Sequence, residues 1–209
     1  MTSSKSKGPL GFIGLGAIGL PIAANLLKAG FALRVHTRSR KAEKHNKLKG
    51  AKKCLSPKEA AKGANVVMIC VSDDEAVEMV LFGAKGAKGS LREGDVVIDF
   101  STISPSKAKS CATRLAKENI IYIDAPVTGG TEGAEVGTLT IFFGGNEDLL
   151  KRVTPILNSI GSAIYSFGEV GKGQEVKAIN QILVAGSYAA VAEAIALGET
   201  LNLPMNIVI

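Results

Sequence analysis

Residues 10–19 run Leu-Gly-Phe-Ile-Gly-Leu-Gly-Ala-Ile-Gly, an apolar stretch that ends in spaced glycines and passes directly into a helical pattern. A G-x-G-x-x-G at such a strand-to-helix junction asks for one arrangement of the backbone. Gly14 makes the tight turn, Gly16 lets the main chain come up against a pyrophosphate, and Gly19 permits close packing of helix on strand. With Leu15, Ala17 and Ile18 between them, these positions present amides and the positive end of the helix dipole to a diphosphate. The bare alternative is a structural turn. Placement at the first strand–helix unit favours a dinucleotide site.

The rest of the chain continues the alternation that such a site needs. Residues 17–29 read as a helix, with Ile18, Ile22 and Leu26 on one face and Gly30 as its stop. Residues 32–36 are a second strand, and Ser39 caps a basic helix that ends at Gly50. Ser56-Pro57-Lys58-Glu59 pairs a capping box with proline at the first helical position. Residues 65–71 form a fully apolar strand, and Ser72-Asp73-Asp74-Glu75 opens the next helix. Strands at 95–100 and 120–124 flank a helix started by Ser104-Pro105. This order predicts an α/β fold, a Rossmann-type doubly wound and mainly parallel sheet.

After Asp124 the alternation weakens. Residues 125–138 are rich in glycine and small residues, 139–143 and 163–167 read as strands around a helix, and 173–202 as one long alanine-rich helix. The expected division is a nucleotide-binding domain over residues 1–168 and the opening of an all-helical C-terminal domain over 169–209. An end on the apolar Ile207-Val208-Ile209, without a cap, predicts further helical chain beyond it, so that domain is expected to be truncated.

Composition narrows the class. With 209 residues, 46% hydrophobic and 21% charged, the chain can bury one core and part of a second. No apolar run approaches the roughly 20 residues a bilayer requires. Residues 1–8 are polar and basic, a disordered lead-in with nothing a signal peptidase would use. Cys54, Cys70 and Cys111 are odd in number, widely spaced and without a C-x-x-C pair, which points to a reducing cytoplasm and away from a structural metal. The net charge of +6 raises nucleic acid as a partner, and residues 34–53 hold the densest basic cluster. That cluster lacks interleaved aromatics and reads as a solvated face, so neither nucleic acid nor a membrane is expected.

The end of the second strand selects the cofactor. An NAD site places an acidic residue there for the ribose 2′-hydroxyl. Here the chain has His36-Thr37-Arg38-Ser39-Arg40 and no carboxylate before Glu43. A guanidinium flanked by hydroxyls suits a 2′-phosphate, so Thr37, Arg38 and Ser39 predict NADP(H), with NAD as the alternative. Val71 and Ser72, at the end of the 65–71 strand, face the cofactor at the carboxyl edge of the sheet, although Ser72 also serves a plain capping role.

The two histidines, His36 and His45, lie on the adenine side, far from any hydride transfer. Another acid/base is needed, and Lys177 is placed for it, near the start of the long helix. Asn180 and Gln181 follow three and four residues on, sharing one face with it. A lysine partly desolvated there has a lowered pKa and can protonate a carbonyl. Taken alone it would be an ordinary solvated lysine. Thr128 with Gly129 and Gly130 offers a hydroxyl and bare amides to a carboxylate, or is simply a loop between sheet segments.

Four motifs in this order resemble the β-hydroxyacid dehydrogenase family: Gly11-Phe12-Ile13-Gly14-Leu15-Gly16-Ala17-Ile18-Gly19, Asp99-Phe100-Ser101-Thr102-Ile103-Ser104-Pro105, Asp124-Ala125-Pro126-Val127-Thr128-Gly129-Gly130, and Gly171-Lys172-Gly173-Gln174-Glu175-Val176-Lys177 running into Asn180-Gln181. The resemblance covers nearly the whole chain from Pro9. It implies a reductase of small semialdehydes: tartronate semialdehyde favoured by the Asn-Gln pair, 3-hydroxyisobutyrate, succinic semialdehyde or glyoxylate as others. It further implies Lys177 as catalytic acid/base, and Thr102 beside the nicotinamide. The substrate falls to Ser101, Thr128, Gly129, Gly130, Asn180 and Gln181. Thr128 stands where the family often has serine, and Gln181 where it often has asparagine. The resemblance also implies a homo-oligomer, dimer or tetramer, assembled through C-terminal helices. An imine reductase on the same scaffold generally lacks the lysine, and a non-enzymatic NADP-binding domain has no use for it; both stand as alternatives.

Overall fold

The computed structural model describes residues 8–208, so the lead-in expected at the N-terminus, apart from Gly8, lies outside the described residues, as does Ile209. The chain divides into two compact units, residues 1–175 and 176–209. That boundary falls inside a helix, a few residues beyond the 168/169 division expected from sequence.

In the first unit, β1 (Leu10–Ile13), β2 (Leu33–His36), β3 (Lys52–Lys53), β4 (Val66–Ile69), β5 (Val96–Asp99) and β6 (Ile121–Asp124) form one sheet in the order β3-β2-β1-β4-β5-β6. All its pairings are parallel. This is the doubly wound arrangement predicted, with its topological switch between β1 and β4, where the carboxyl ends open a crevice. The period-2 alternation of a strand explains the two cores. Phe12, Val35, Met68 and Ile98 point to one face, where Ile22 and Leu26 of α1 (Gly19–Lys28) meet them. Ile13, Val67, Ile69 and Val97 point to the other, under α2 (Pro57–Ala61), α3 (Asp74–Phe82) and α4 (Pro105–Ala116). Burial on both faces is why these strands are almost uninterrupted runs of Val, Ile and Met.

The helix starts follow the capping signals. Ser56 accepts from the Glu59 amide at 3.1 Å while the Glu59 carboxylate accepts from the Leu55 amide at 2.8 Å. Asp73, not the expected Ser72, caps α3 through the Ala76 amide at 2.7 Å, the Ser72 hydroxyl donating to the Asp73 carboxylate instead, and Ser104 caps α4 through the Lys107 amide at 3.2 Å. The basic helix expected between Ser39 and Gly50 is not formed. Two 3-10 turns, Ala42–Lys44 and Asn46–Leu48, take its place, separated by His45 in an extended conformation. The reason is burial: only Glu43 and Leu48 are buried there, too few inward positions to hold an amphipathic helix.

Residues 125–138, where the alternation weakens, build β7 (Val127–Thr128) and α5 (Gly130–Val136). β7 pairs antiparallel with β8 (Leu139–Phe143), and β8 pairs parallel with β9 (Gly161–Ser166) across α6 (Glu147–Leu157). The small residues disguise a short helix that packs against α1: the Asn25 side-chain amide donates to the Ala134 carbonyl at 2.8 Å.

The second unit is the body of α7 (Lys172–Thr200) followed by α8 (Met205–Val208). By length and composition α7 is apolar enough to cross a membrane, with mean hydropathy 1.4 over its best window, little of it buried. Sequence inspection found no such run because Asn180, Gln181, Ser187 and Glu193 interrupt it, whereas alanine and the exposed Ile182, Leu183 and Tyr188 raise the average.

Candidate cofactor and acid/base sites

A cleft of about 640 Å³ opens at the switch point of the sheet. Gly14, Leu15, Gly16, Ala17, Ile18 and Gly19 form one wall; Thr37, Arg38 and Ser39 stand at the end of β2, and Val71 and Ser72 follow β4. Of the residues expected to hold a cofactor, only Thr102 is not on this lining; it is exposed, in the loop after β5.

The glycines do what their positions require. Gly14 has φ +97°, and a Cβ there would collide with the Cys70 carbonyl. A Cβ on Gly16 would meet nothing within 4 Å, because that position faces the open cleft. The main chain is therefore bare just where a diphosphate must come close, at the start of α1. These residues fit a nicotinamide dinucleotide.

Thr37 and Arg40 close a turn through the Arg40 amide and Thr37 carbonyl at 3.1 Å, leaving Arg38 and Ser39 exposed at its tip. Two other members of the basic cluster have structural partners. Arg34 donates to the Glu59 carbonyl at 2.6 Å, and Lys47 pairs with Glu135 at 2.8 Å.

Lining residues that sequence reasoning missed include His36, Cys70, Asp73 and Met79. His36 Nδ1 lies 3.0 Å from the Cys54 carbonyl. The Cys70 thiol is pushed up to about 12 by burial and then by the Asp99 charge, so it stays protonated and is no nucleophile. Position offered the signal here, since His36 closes β2, Cys70 follows β4, and Asp73 and Met79 cap or lie in α3.

The carboxyl ends of β5 and β6 carry a buried polar network. Asp99 is fully buried; its Oδ1 accepts from the Ser101 amide at 2.8 Å and its Oδ2 from the Tyr122 hydroxyl at 2.8 Å. Burial raises its pKa to about 6, against the pull of these hydrogen bonds. Ser101, expected among the substrate residues, is 2% exposed, and its hydroxyl accepts from the Val71 amide at 2.9 Å. The structure thus places it as a brace between the loops after β4 and β5.

Asp124 holds the start of α7. Its Oδ1 accepts from the Gly171 amide at 2.7 Å and its Oδ2 from the Gln174 amide at 2.9 Å. Gly173 must lack a side chain, since a Cβ would come within 2.9 Å of Asp124 Oδ2. Gln174, itself buried, donates to the Ser101 carbonyl at 2.8 Å and accepts from the Ile103 amide at 3.1 Å. Thr128 is half-buried at the end of β7, with Gly129 (φ +124°) and Gly130 (φ +67°) exposed at the turn into α5.

In the second unit, Lys177 is only 6% exposed, and desolvation lowers its pKa. Asn180 follows one turn on, its Oδ1 buried without a hydrogen-bond partner among the described residues. Gln181 is exposed. Among the described residues no group of three or more His, Cys, Asp or Glu is disposed to hold a metal.

Residues 9–168 match the family model described as the NAD binding domain of 6-phosphogluconate dehydrogenase. The chain is 38% identical over 189 residues to 2-(hydroxymethyl)glutarate dehydrogenase of Eubacterium barkeri, covering 90% of this chain and 63% of that one. It is 40% identical over 186 residues to 2-hydroxy-3-oxopropionate reductase of Escherichia coli, covering 89% and 63%. Among solved structures, Psf3 in complex with NADP+ and 2-OPP superposes with a TM-score of 0.89 at 30% identity, over 95% of this chain and 70% of that one. The chain therefore spans less than two thirds of the length of both enzyme relatives. The glycine cleft on a 3-2-1-4-5-6 sheet and the family match agree: this chain carries an NAD(P)-binding domain and belongs to the β-hydroxyacid dehydrogenase family.

Proposed function

We propose that this chain is the cofactor-binding part of an NADPH-preferring oxidoreductase that interconverts a small 3-hydroxy acid and its semialdehyde, with Lys177 as acid/base. The observation that carries the reading is Lys177 itself: a buried lysine whose pKa desolvation lowers, one turn beyond a helix start held by a dedicated carboxylate. An ammonium with a lowered pKa gives up its proton more readily to a developing alkoxide, and as the amine it takes the proton back in the oxidative direction. A bound nicotinamide supplies or accepts the hydride. Thr128 and the Gly129 and Gly130 amides hold the carboxylate of the substrate, which fixes its orientation. The buried Asn180 Oδ1 is an acceptor awaiting a hydroxyl donor. Preference for NADPH is supported by the exposed Arg38 and Ser39 on the cleft wall. The relatives named for 2-hydroxy-3-oxopropionate and 2-(hydroxymethyl)glutarate support a small hydroxy acid as substrate, tartronate semialdehyde first among them. The exposed Ile182, Leu183 and Tyr188 of α7 support assembly into a homo-oligomer.

The test is NADPH oxidation against tartronate, succinic and methylmalonate semialdehydes and glyoxylate, with wild type and Lys177→Ala in parallel. The variant is expected to lose turnover by about 10²-fold or more while NADPH affinity changes less than about twofold. Near-normal turnover in Lys177→Ala would remove the lysine from its role.

A further inference from the structure

Glu43 is the first carboxylate after Thr37, Arg38 and Ser39 in the chain, and it is only 1% exposed. A carboxylate beside a phosphate is a liability unless it is occupied. Here both oxygens are. Oε1 accepts from the Thr37 amide at 2.9 Å, and Oε2 accepts from Arg40 Nε at 2.8 Å. Thr37 and Arg40 are the two ends of the turn whose tip is Arg38 and Ser39. One buried side chain therefore grips both ends of the turn.

Two further details show that the turn needs gripping. Arg40 sits at φ +59°, a left-handed conformation that a non-glycine residue holds only when its surroundings impose it. The Thr37 hydroxyl also lies 3.4 Å from the Leu15 amide, which links this turn to the glycine loop across the cleft. The charges balance accordingly. Arg40 is spent on Glu43, so the guanidinium left facing the cleft from this turn is that of Arg38, which lines it. His36 Nδ1 stands 3.8 Å from the same carboxylate.

We propose that Glu43 is a positioning residue for cofactor selectivity: by clamping Thr37 and Arg40 it presents Arg38 and Ser39 to the 2′-phosphate and keeps its own charge neutralised by Arg40. This rests on the reading that the chain prefers NADPH. On this account the carboxylate that elsewhere in nucleotide-binding sheets would accept a ribose hydroxyl is here turned inward, away from the ribose.

The test is the dissociation constant of NADPH and of NADH, measured by titration calorimetry on the full chain. Wild type is expected to bind NADPH more tightly, and Arg38→Ala to abolish that difference. Glu43→Ala is expected to weaken NADPH roughly tenfold, about the loss of one hydrogen bond to a charged group, while NADH changes less than about twofold. A residue that merely supports the fold would weaken both alike, and that outcome overturns the proposal. So does unchanged or tighter NADPH binding, which would make the carboxylate an electrostatic burden.

Arg40→Met and the double variant Glu43→Gln/Arg40→Met provide a second arm should Glu43→Ala fail to fold. Arg40→Met leaves the buried Glu43 charge without its counter-ion and frees one end of the turn, and is expected to weaken NADPH selectively. The double variant, with that charge removed but the Arg40 end of the clamp also lost, is expected to recover part of the loss, to within about tenfold of wild type. If the double variant stays as weak as Arg40→Met, Arg40 is itself a phosphate ligand and the clamp is overturned. A wild type without NADPH preference overturns the clamp and the NADPH reading together. Preference lost in Arg38→Ala but kept in Glu43→Ala overturns the clamp alone.

Discussion

Replacing Asp124 by alanine tests whether one carboxylate fixes the start of α7. In the variant the Gly171 and Gln174 amides lose their acceptors, at 2.7 and 2.9 Å, in a position closed to water. Hydrogen bonds to a charged group contribute about 1.5–3 kcal/mol each, so two would cost about 3–6 kcal/mol. Burial acts in the opposite sense. It raises the Asp124 pKa, so part of that gain already offsets the desolvation of the carboxylate. A net loss of about 3 kcal/mol is expected, which is about a hundredfold in an opening equilibrium.

Asp124→Asn keeps one acceptor and turns a donor toward the other amide, so about half that loss is expected. Urea unfolding should show a lower midpoint with unchanged slope, and amide exchange should accelerate at Gly171 and Gln174. A change below about 1 kcal/mol in Asp124→Ala, or an asparagine variant as damaged as the alanine one, would refute the two-amide account. Because Lys177 lies on the same helix, Asp124→Asn is also expected to lower kcat more than it weakens NADPH binding.

Three other outcomes follow from the same geometry. Asp99 has a folded pKa of about 6, above its unfolded value, so the folded state holds its proton longer. Its contribution to stability is fully present below about pH 4 and is lost as pH rises through about 6. Over about two pH units, at about 1.4 kcal/mol each, that is about 3 kcal/mol, and the slope should fall by that amount in Asp99→Asn when unfolding is followed between pH 4 and 7. Gly16→Ala should leave the melting temperature of the free chain nearly unchanged and abolish its rise on adding NADPH, because the new methyl occupies open cleft. Gly14→Ala should lower the melting temperature even without cofactor, because its methyl meets the Cys70 carbonyl and its φ is positive.

What the sequence revealed is what local backbone chemistry dictates. The spacing of Gly14, Gly16 and Gly19, the apolar run of β4 and the Ser-Pro cap of α4 each follow from neighbours a few residues away, and each stands where it was expected. The basic segment after Ser39 was misread because lysines are compatible with a helix, whereas nothing in their order supplies an inward face. The buried polar groups were hidden for a different reason. Gln174 meets Ile103 across 71 residues of chain and Asp124 meets Gln174 across 50, separations at which no spacing rule operates.

Part of this network nevertheless had a local signature. β5 ends Val-Val-Ile-Asp and β6 ends Ile-Tyr-Ile-Asp, and the two aspartates stand opposite one another in register, fully buried. A charged residue closing an apolar strand at the carboxyl edge of such a sheet is costly unless something nearby satisfies it. Two identical endings therefore announce two sets of partners. They do not announce which. Asp99 turns to its own sheet, to Tyr122 and the Ser101 amide, whereas Asp124 reaches forward to the first turn of α7. The same local pattern thus supports a brace in one strand and a helix anchor in the next, and only the tertiary path of the chain after β9 separates the two.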